Sequence, residues 1–140
     1  MKNTITNIKK MYGQDTNVKI YYAHSKKIYG TSQEIEELKF IKEKFPSSIV
    51  LCPNNTIGEL SDFQDYLHVV DCCNKIIASE VEGHIGKGVF CEIARGFGNS
   101  TPVYVLRKQA NKFYLLIVTG IEVINESDWK NQYGKLIVKN

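Results

Sequence analysis

Short apolar runs alternate with longer amphipathic segments along most of this chain. The runs V-K-I-Y-Y-A from Val18, S-I-V-L-C from Ser48 and I-I-A-S-E-V from Ile76 are rich in β-branched and aromatic residues. Each run is bounded by polar or turn-forming residues, a pattern that is typical of buried strands. The sequence P-V-Y-V-L from Pro102 predicts a fourth strand of the same kind.

The segments between these strands carry apolar residues at helical spacing. Thr31 or Ser32 can cap a first helix that Pro46 ends, and Ser61 can cap a second. A third predicted helix runs from about Gly88 to Gly98. Strands that alternate with helices predict an α/β fold, so we expect a single-domain flavodoxin- or Rossmann-like three-layer sandwich. Its sheet should be mostly parallel, with about five strands.

The two ends of the chain are less regular than its centre. Residues 1–17 are polar and predict an N-terminal extension ahead of a domain that spans residues 18–140. After the fourth strand, the polar break R-K-Q-A-N-K precedes the apolar run F-Y-L-L-I-V, and I-E-V-I is another strand or its continuation. The sequence E-S-D-W-K-N-Q-Y predicts a short helix, and K-L-I-V-K is a terminal strand or a helix tail.

One stretch joins a strand end to a glycine-spaced loop and a helix start. Glu80 ends the third apolar run, Gly83, Gly86 and Gly88 space the loop, and Glu92 lies on the helix that follows. Glycines let the backbone approach a ligand closely, and the free N–H groups that open a helix favour anionic groups. The spacing matches neither the dinucleotide-binding fingerprint nor the Walker loop. We therefore expect a small-molecule site here, with Glu92 projecting into it.

The predicted topology brings the loops after the first and third strands together. In parallel sheets, ligands bind outside the carboxyl ends of the strands, so these two loops should be neighbours at that edge. They supply a carboxylate, proton donors and cationic groups suited to phosphate. The side chains expected around Glu92 are Tyr21 or Tyr22, His24, Ser25, Lys26, Lys27, Glu80, Glu82, His84 and Lys87, with Gly86 and Gly88 from the loop backbone.

Composition narrows the classes of function. The chain has 140 residues, of which 43% are hydrophobic and 24% charged, and its net charge of +3 is not gathered into a basic block. Nucleic acid is therefore not an expected partner. The absence of a membrane-length apolar run and of a secretion signal predicts a cytoplasmic protein with no membrane partner. The four cysteines contain no C-x-x-C, so we expect them to be reduced, with no metal site and no cofactor.

Two motifs resemble those of the nucleoside 2-deoxyribosyltransferase superfamily. Y-Y-A-H-S (Tyr21–Ser25) is similar to its first-strand motif, and G-V-F-C-E-I-A-R-G (Gly88–Gly96), preceded by S-E-V, is similar to its glycine-glutamate-alanine helix motif. The resemblance covers residues 18–106 and is closest to the 2′-deoxynucleoside 5′-phosphate N-hydrolase branch. It implies a nucleoside, nucleotide or nucleotide-derived ligand and a homodimer or higher homo-oligomer.

The resemblance also implies roles for individual residues. Glu92 occupies the position of the nucleophile, which attacks the anomeric carbon of a deoxyribose, forms a glycosyl-enzyme ester and yields it to water or a second base. Tyr21 matches the tyrosine that helps to orient this glutamate. Ser25 matches a phosphate-contacting serine of the hydrolase branch, with Lys26 and Lys27 as cationic helpers.

The chain departs from the family pattern at two points. The aspartate that handles the proton of the base is not at its usual distance from the third strand, so Asp65 or Asp71 would have to substitute for it. Phe90 stands where the family has the second glycine of a pair.

Two hypotheses of different classes follow. The first is an enzyme that cleaves or transfers at an N-glycosidic bond, with Glu92, Tyr21 and Asp65 as catalytic residues. The alternative is a non-catalytic module that captures a nucleotide-derived signal in the same pocket. A plainer interpretation stands beside both: Glu92 and Asp65 are then ordinary helix carboxylates, and Tyr21 is a core aromatic residue.

Overall fold

The structure of the chain, a computed structural model, describes residues 18–54, 63–124 and 133–139. Within these ranges six strands and three α-helices alternate for most of the chain. The strands are β1 (Lys19–Ala23), β2 (Ile49–Leu51), β3 (Lys75–Ala78), β4 (Val103–Gln109), β5 (Lys112–Val123) and β6 (Gly134–Val138), and the helices are α1 (Ser32–Lys44), α2 (Phe63–Asp71) and α3 (Lys87–Gly98). The protein is therefore an α/β protein. The predicted extension at 1–17, and most of the short helix predicted before β6, lie outside the described residues.

All six strands form one sheet in the order β2-β1-β3-β4-β5-β6. Strands β1 to β4 are parallel to one another, whereas β5 pairs antiparallel with both β4 and β6. The expectation of a mostly parallel sheet of about five strands is thus corrected to a mixed sheet of six. The reason lies at Ala110 and Asn111, whose φ values of 50° and 62° form a tight two-residue hairpin. Such a turn returns the chain antiparallel, since a parallel return needs a crossover of a dozen or more residues.

The sheet carries helices on both faces. Side chains alternate between the faces along a strand, so neighbouring residues of β1 belong to different cores. Ile20 and Tyr22 pack with Leu38 and Ile41 of α1 on one face. Tyr21 packs on the other face with buried residues of α2 and α3. None of the helices in the described ranges is both long and apolar enough to cross a membrane.

Helix α1 turns an unusual stripe towards the sheet. Its buried residues are Glu34, Glu37, Leu38 and Ile41, which follow helical spacing and include two carboxylates. Ile35, which the apolar pattern assigns to the core face, is instead 63% exposed. Glutamate is seldom fully buried unless it is paired. Glu34 and Glu37 therefore need hydrogen-bond or ion-pair partners between α1 and the sheet.

The glycine-spaced loop between β3 and α3 is a compact turn. Val81 and His84 exchange two backbone hydrogen bonds of 2.8 and 3.0 Å. Glu82 and Gly83 between them have φ values of 52° and 78°, which is the left-handed pair that closes a tight hairpin. Ile85 then bridges to Gly134 at the start of β6. The loop is thus fastened at its far end to the terminal strand.

Candidate functional site

The structure brings Tyr21 and Glu92 together on the α2 and α3 side of the sheet. The hydroxyl of Tyr21, in the middle of β1, donates a hydrogen bond to a carboxylate oxygen of Glu92, in the second turn of α3. Tyr21 is 0% exposed and Glu92 is 5% exposed. Val89 and Ile93 are buried on the same side of α3, so the register of the helix on the sheet holds Glu92 against the strand.

Burial dominates the electrostatics of this pair. It raises the pKa of Glu92 to about 8, although the hydrogen bond from Tyr21 acts in the opposite direction. The pKa of Tyr21 is raised well above its ordinary value, first by burial and then by the negative charge of Glu92. Tyr21 therefore keeps its proton and remains the donor. Glu92 exchanges its proton near neutral pH, which is the property that tuned acids and bases in active sites share.

Two further tyrosines, which the sequence patterns did not assign to the site, belong to the surroundings of Glu92. Tyr29 follows the short 3₁₀ helix Lys26–Ile28 in the loop after β1. Burial raises the pKa of Tyr29, and the negative charges of Glu92 and then Tyr66 raise it further. Tyr66 lies on α2. Tyr29 lies in the same loop as Ser25, Lys26 and Lys27. That position in the sequence is the feature from which its place near the site could have been predicted.

The structure separates the two aspartates that the sequence left open. Asp65 is only 2% exposed on α2, and its Oδ2 atom has no hydrogen-bond partner among the described residues. Asp71 lies at the surface, where Arg95 donates two hydrogen bonds of 2.7 and 2.6 Å to its carboxylate and Asn99 donates a third. The guanidinium of Arg95 holds the pKa of Asp71 below its ordinary value. Of these two aspartates, Asp65 is the buried one and Asp71 is held in a surface ion pair.

Helices α2 and α3 meet near their amino-terminal ends. A Cβ atom placed on Gly88 would lie 3.7 Å from the ring of Phe63, the first residue of α2. Asp65 lies in the first turn of α2 and Glu92 in the second turn of α3, and these two helices pack against each other. Three side chains of the predicted catalytic set, Tyr21, Asp65 and Glu92, share one face of the sheet.

Tyr22 lies on the opposite face and is not part of this group. Its hydroxyl donates to Glu37 of α1, which is 4% exposed. Gln33 completes the arrangement, because its Nε2 atom lies 3.2 Å from Glu37 Oε2, 3.2 Å from Ser79 Oγ and 3.0 Å from the Glu80 carbonyl oxygen. The expectation that Tyr22 lies near Glu92 is corrected by the alternation of β1, which sends adjacent side chains to opposite faces.

Glu80 is also directed away from Glu92. Arg107 on β4 donates to both of its carboxylate oxygens, at 2.9 and 3.2 Å. This ion pair lines a cleft of about 530 Å³ between α1 and the β4–β5 hairpin, together with Gln33, Glu37 and Phe113. Arg107 has no signal in the sequence pattern, because it belongs to the polar break that forms part of the β4–β5 hairpin.

The loop residues expected to contact phosphate occupy several different environments. The amide of Lys27 donates to Ser25 Oγ at 3.1 Å, so Ser25 caps the short 3₁₀ helix. Lys26 and Lys27 are exposed. His84 Nδ1 lies 2.9 Å from the carbonyl oxygen of Glu82 within the tight turn.

Two glycines lie at the amino-terminal end of α3. Gly86 is its N-cap and makes no side-chain capping bond, and Lys87 and Gly88 follow as exposed residues. A helix start of this kind leaves backbone N–H groups directed at whatever lies in front of it. Gly86 and Gly88 therefore lie at the start of the helix that carries Glu92, as the sequence pattern predicts.

His24 does not face Glu92 either. It is buried beside Glu34 of α1, with its Nε2 atom 2.6 Å from Glu34 Oε2, and Cys52 Sγ lies 4.0 Å from the same nitrogen. Burial raises the pKa of Glu34, but hydrogen bonds from the Gly30 amide, His24 and Asn54 outweigh it and lower that pKa overall. Glu34 is therefore a carboxylate at neutral pH. A histidine, a carboxylate and a thiol in contact form the one group of potential metal ligands within the described ranges.

Comparisons of the chain with protein-family models, with curated proteins and with solved structures gave no match.

Proposed function

We propose that this protein cleaves or transfers at the N-glycosidic bond of a nucleoside, a nucleotide or a related metabolite, with Glu92 as the nucleophile. The observation that carries the proposal is the hydrogen bond from Tyr21 to Glu92. Two residues from separate motifs, both similar to those of nucleoside 2-deoxyribosyltransferases, meet in a buried pair at the centre of the fold. The hydrogen bond from the tyrosine holds one carboxylate oxygen of the glutamate in place. It thereby also sets the direction of the second carboxylate oxygen.

The reaction follows the logic of retaining glycoside chemistry. Ionised Glu92 attacks the anomeric carbon, and the bond from that carbon to the base breaks with its electron pair remaining on the base nitrogen. The product is a glycosyl ester on Glu92. Water then attacks the same carbon and releases the sugar, or a second base attacks it and the transfer is complete. Both steps pass through an oxocarbenium-like transition state that an adjacent carboxylate stabilises.

The departing base needs a proton, and we assign that role to Asp65. Its Oδ2 atom is buried without a partner in the described part of the chain. A buried polar atom without a partner is uncommon in folded proteins, and a ligand that supplies the missing hydrogen bond accounts for it. In hydrolysis, the attacking water returns a proton to the same carboxylate, as general acid and base exchange roles between the two steps.

The start of α3 is the part of the site best suited to a phosphate. Gly86 caps this helix without a side chain in the way, and Ser25, Lys26 and Lys27 follow β1 on the same edge of the sheet. Backbone N–H groups and lysine side chains are common phosphate ligands. A 5′-monophosphate is accordingly the substrate form that we favour over a free nucleoside.

The broader features of the proposal follow from the same resemblance. The order β2-β1-β3-β4 of the parallel strands is compatible with a flavodoxin-like sandwich. Relatives of this kind share sites between subunits, so we propose a cytoplasmic homodimer or higher homo-oligomer. No cofactor is required by the chemistry described.

The proposal is tested by offering the purified protein a panel of substrates. Deoxynucleosides, their 5′-monophosphates and NAD-type dinucleotides are incubated separately, and release of the free base is followed by chromatography. We expect base release from at least one deoxynucleoside 5′-monophosphate, and loss of that release by on the order of 10⁴-fold in Glu92→Gln. Absence of base release from every substrate, or full turnover in Glu92→Gln, contradicts the proposal.

A second candidate is a binding module that holds a nucleotide-derived ligand without cleaving it. It is favoured by one observation, namely that burial raises the pKa of Glu92 to about 8. At pH 7 most of the protein then carries a neutral carboxyl group, which donates a hydrogen bond to a ligand instead of attacking it. Tight binding, with the ligand recovered unchanged after denaturation, supports this candidate. Consumption of the ligand at the rate of an enzyme excludes it.

A further inference from the structure

We propose that His24, Glu34 and Cys52 form a binding site for one transition-metal ion of the zinc class. One ligand atom from each of these residues lies within 4.8 Å of the others, and all three residues are buried. They come from three elements: His24 follows β1, Cys52 follows β2, and Glu34 lies in the first turn of α1. Because β1 and β2 are adjacent parallel strands, their carboxyl ends fix two of the donors at one edge of the sheet.

The donor set suits a borderline metal. Imidazole nitrogen, thiolate sulfur and carboxylate oxygen are the three ligand types that zinc takes from proteins. In a tetrahedral zinc site, nitrogen and sulfur ligands are separated by about 3.6 Å, and nitrogen and oxygen ligands by about 3.4 Å. Here Cys52 Sγ lies 4.0 Å from His24 Nε2, and Glu34 Oε2 lies 2.6 Å from the same nitrogen. Both distances therefore lie within about 1 Å of the values in a tetrahedral zinc site.

Both ring nitrogens of His24 lie close to oxygen acceptors. Its Nδ1 atom lies 3.0 Å from the carbonyl oxygen of Tyr22, and its Nε2 atom lies 2.6 Å from Glu34 Oε2. Both neighbours are acceptors, whereas a neutral imidazole has only one N–H to offer. A metal ion bound by both Nε2 and the carboxylate suits this arrangement. A ring nitrogen that donates to a backbone carbonyl is also the usual support for a histidine that binds metal through its other nitrogen.

The histidine is already held in place for this role. Its ring stacks on that of Tyr22, with ring centroids 3.9 Å apart and an angle of 11° between the ring planes. The centroid of the Tyr29 ring lies 5.0 Å from that of His24. The second carboxylate oxygen of Glu34 accepts a hydrogen bond of 2.9 Å from the Gly30 amide. Ligands whose orientation is fixed by such supporting bonds bind metal with less loss of entropy.

Asn54 borders the cluster on its exposed side. The thiol of Cys52 donates to Asn54 Oδ1 at 3.0 Å, and Asn54 Nδ2 donates to Glu34 Oε2 at 3.0 Å. When a metal replaces the thiol proton, Asn54 or a water beside it completes the fourth position. All three ligand residues are buried, and buried sites with ligands of this kind are typical of structural zinc. Its role is then to fasten the ends of β1 and β2 to the start of α1.

The sequence alone gave no reason to expect this site. Its ligands are separated by 10 residues between His24 and Glu34 and by 28 between His24 and Cys52, so no short metal motif exists. The site lies on the α1 side of the sheet, away from Glu92, and it does not depend on the proposed function. A result here therefore says nothing for or against N-glycosidic cleavage.

The experiment is a titration of the full-length, metal-stripped protein with Zn²⁺ and with Co²⁺. We expect one equivalent of either ion per chain by calorimetry, and Co²⁺ should give a thiolate-to-metal charge-transfer band together with the intense visible bands of tetrahedral cobalt. Absence of stoichiometric binding of either ion overturns the proposal. Cobalt binding without a thiolate band overturns it as well.

Matched variants locate the ion. Cys52→Ser and His24→Gln should each lower the affinity for Zn²⁺ by 10-fold to 100-fold or more, a loss on the order of that seen when a metal ligand or its support is removed. Cys72→Ser and His68→Gln change the same residue types on α2 and directly after its last residue, and they should leave binding unchanged. If a ligand variant fails to fold, the cobalt spectrum of the unaltered protein still decides the question. Equal affinity in Cys52→Ser and in Cys72→Ser contradicts the proposed ligand set.

Discussion

Tyr21 and Tyr22 are neighbours in β1, and their hydroxyls donate to two glutamates on opposite faces of the sheet. Tyr21 reaches Glu92 on α3, and Tyr22 reaches Glu37 on α1. Both glutamates are buried, at 5% and 4% exposure. The described residues therefore contain the same chemical pair twice, and of the two only the pair on the α2 and α3 face accompanies Asp65. The second pair is a control for every claim made about the first.

Removal of the Tyr21 hydroxyl should slow base release far more than removal of the Tyr22 hydroxyl. Tyr21→Phe leaves Glu92 without the bond that orients it, and misplacement of a reacting group costs on the order of 10²-fold in rate. Tyr22→Phe removes an equivalent bond on the far face and should leave kcat nearly unchanged. Initial rates of base release measure both. Equal losses in the two variants would point to a general effect of the strand and not to catalysis.

The rate should depend on pH in the way that an ionising nucleophile requires. Burial raises the pKa of Glu92 to about 8, and in the proposed mechanism only the carboxylate form attacks. We expect kcat/KM to rise with pH and to reach half of its plateau near pH 8. Because the Tyr21 hydrogen bond lowers the pKa of Glu92, Tyr21→Phe should move this midpoint to higher pH. A kcat/KM that is flat from pH 6 to pH 9 would contradict the assignment.

Glu92 should also make the protein less stable as pH rises. Its pKa is about 8 in the folded protein, compared with an ordinary value of 4.5, so in this window the folded state holds a proton that the unfolded state has lost. The stability is fully present below pH 4.5 and is lost as pH rises through 8, with a slope of at most about 1.4 kcal/mol per pH unit. Glu92→Gln removes the titrating carboxyl group and with it this dependence of stability on pH.

The measurement is urea unfolding of both proteins at several pH values, followed by circular dichroism. All other titrating groups are shared by the two proteins, so the difference between their free energies of unfolding reports on Glu92 alone. The free energy of unfolding of Glu92→Gln minus that of the unaltered protein should increase from pH 5 to pH 8, because only the unaltered protein loses this stability. A difference that stays constant with pH would show that Glu92 ionises with an ordinary pKa.

Close packing of α3 on β3 predicts a strong contrast between two glycines of one helix. A Cβ atom on Gly96 would lie 2.4 Å from Ile76 Cδ1, and Ile76 is 0% exposed. Overpacking of a core costs about 1–3 kcal/mol, which exceeds the gain of about 1 kcal/mol from alanine in a helix. We expect Gly96→Ala to destabilise the protein by about 1 kcal/mol.

Gly98 supplies the control for this substitution. A Cβ atom there meets nothing within 4 Å, so Gly98→Ala should be neutral or stabilising by up to about 1 kcal/mol. Denaturant midpoints of the two variants give the comparison. If Gly96→Ala were as stable as Gly98→Ala, α3 would not pack on β3 as described. The position of Glu92 on α3 would then be contradicted as well.

Much of the element order follows from local sequence alone. The apolar runs of β1 to β4 and the periodic segments of α1 and α3 form the elements that their spacing predicts. The hairpin after β4 was not recognised, because Ala110 and Asn111 close it without the glycine that usually marks such turns. The runs F-Y-L-L-I-V and I-E-V-I then form one long strand, β5.

The site was predictable only where a motif fixed both partners. Strand alternation establishes that Tyr21 and Tyr22 face opposite sides, but the helix that meets each side depends on how α1 and α3 rotate against the sheet. Glu34 and Glu37 look like ordinary charges in the first turns of a helix, and only packing shows that they are buried and paired. Contacts across 28 residues, as between His24 and Cys52, leave no periodic trace in the sequence.

The central claim is that Glu92, and not merely a buried glutamate bonded to a tyrosine, performs the chemistry. It is tested most directly by comparing Glu92→Gln with Glu37→Gln for base release from a deoxynucleoside 5′-monophosphate, after circular dichroism has established that both are folded. We predict that Glu92→Gln loses on the order of 10⁴-fold in kcat, while Glu37→Gln stays close to the unaltered protein. Comparable turnover in the two variants would contradict the account.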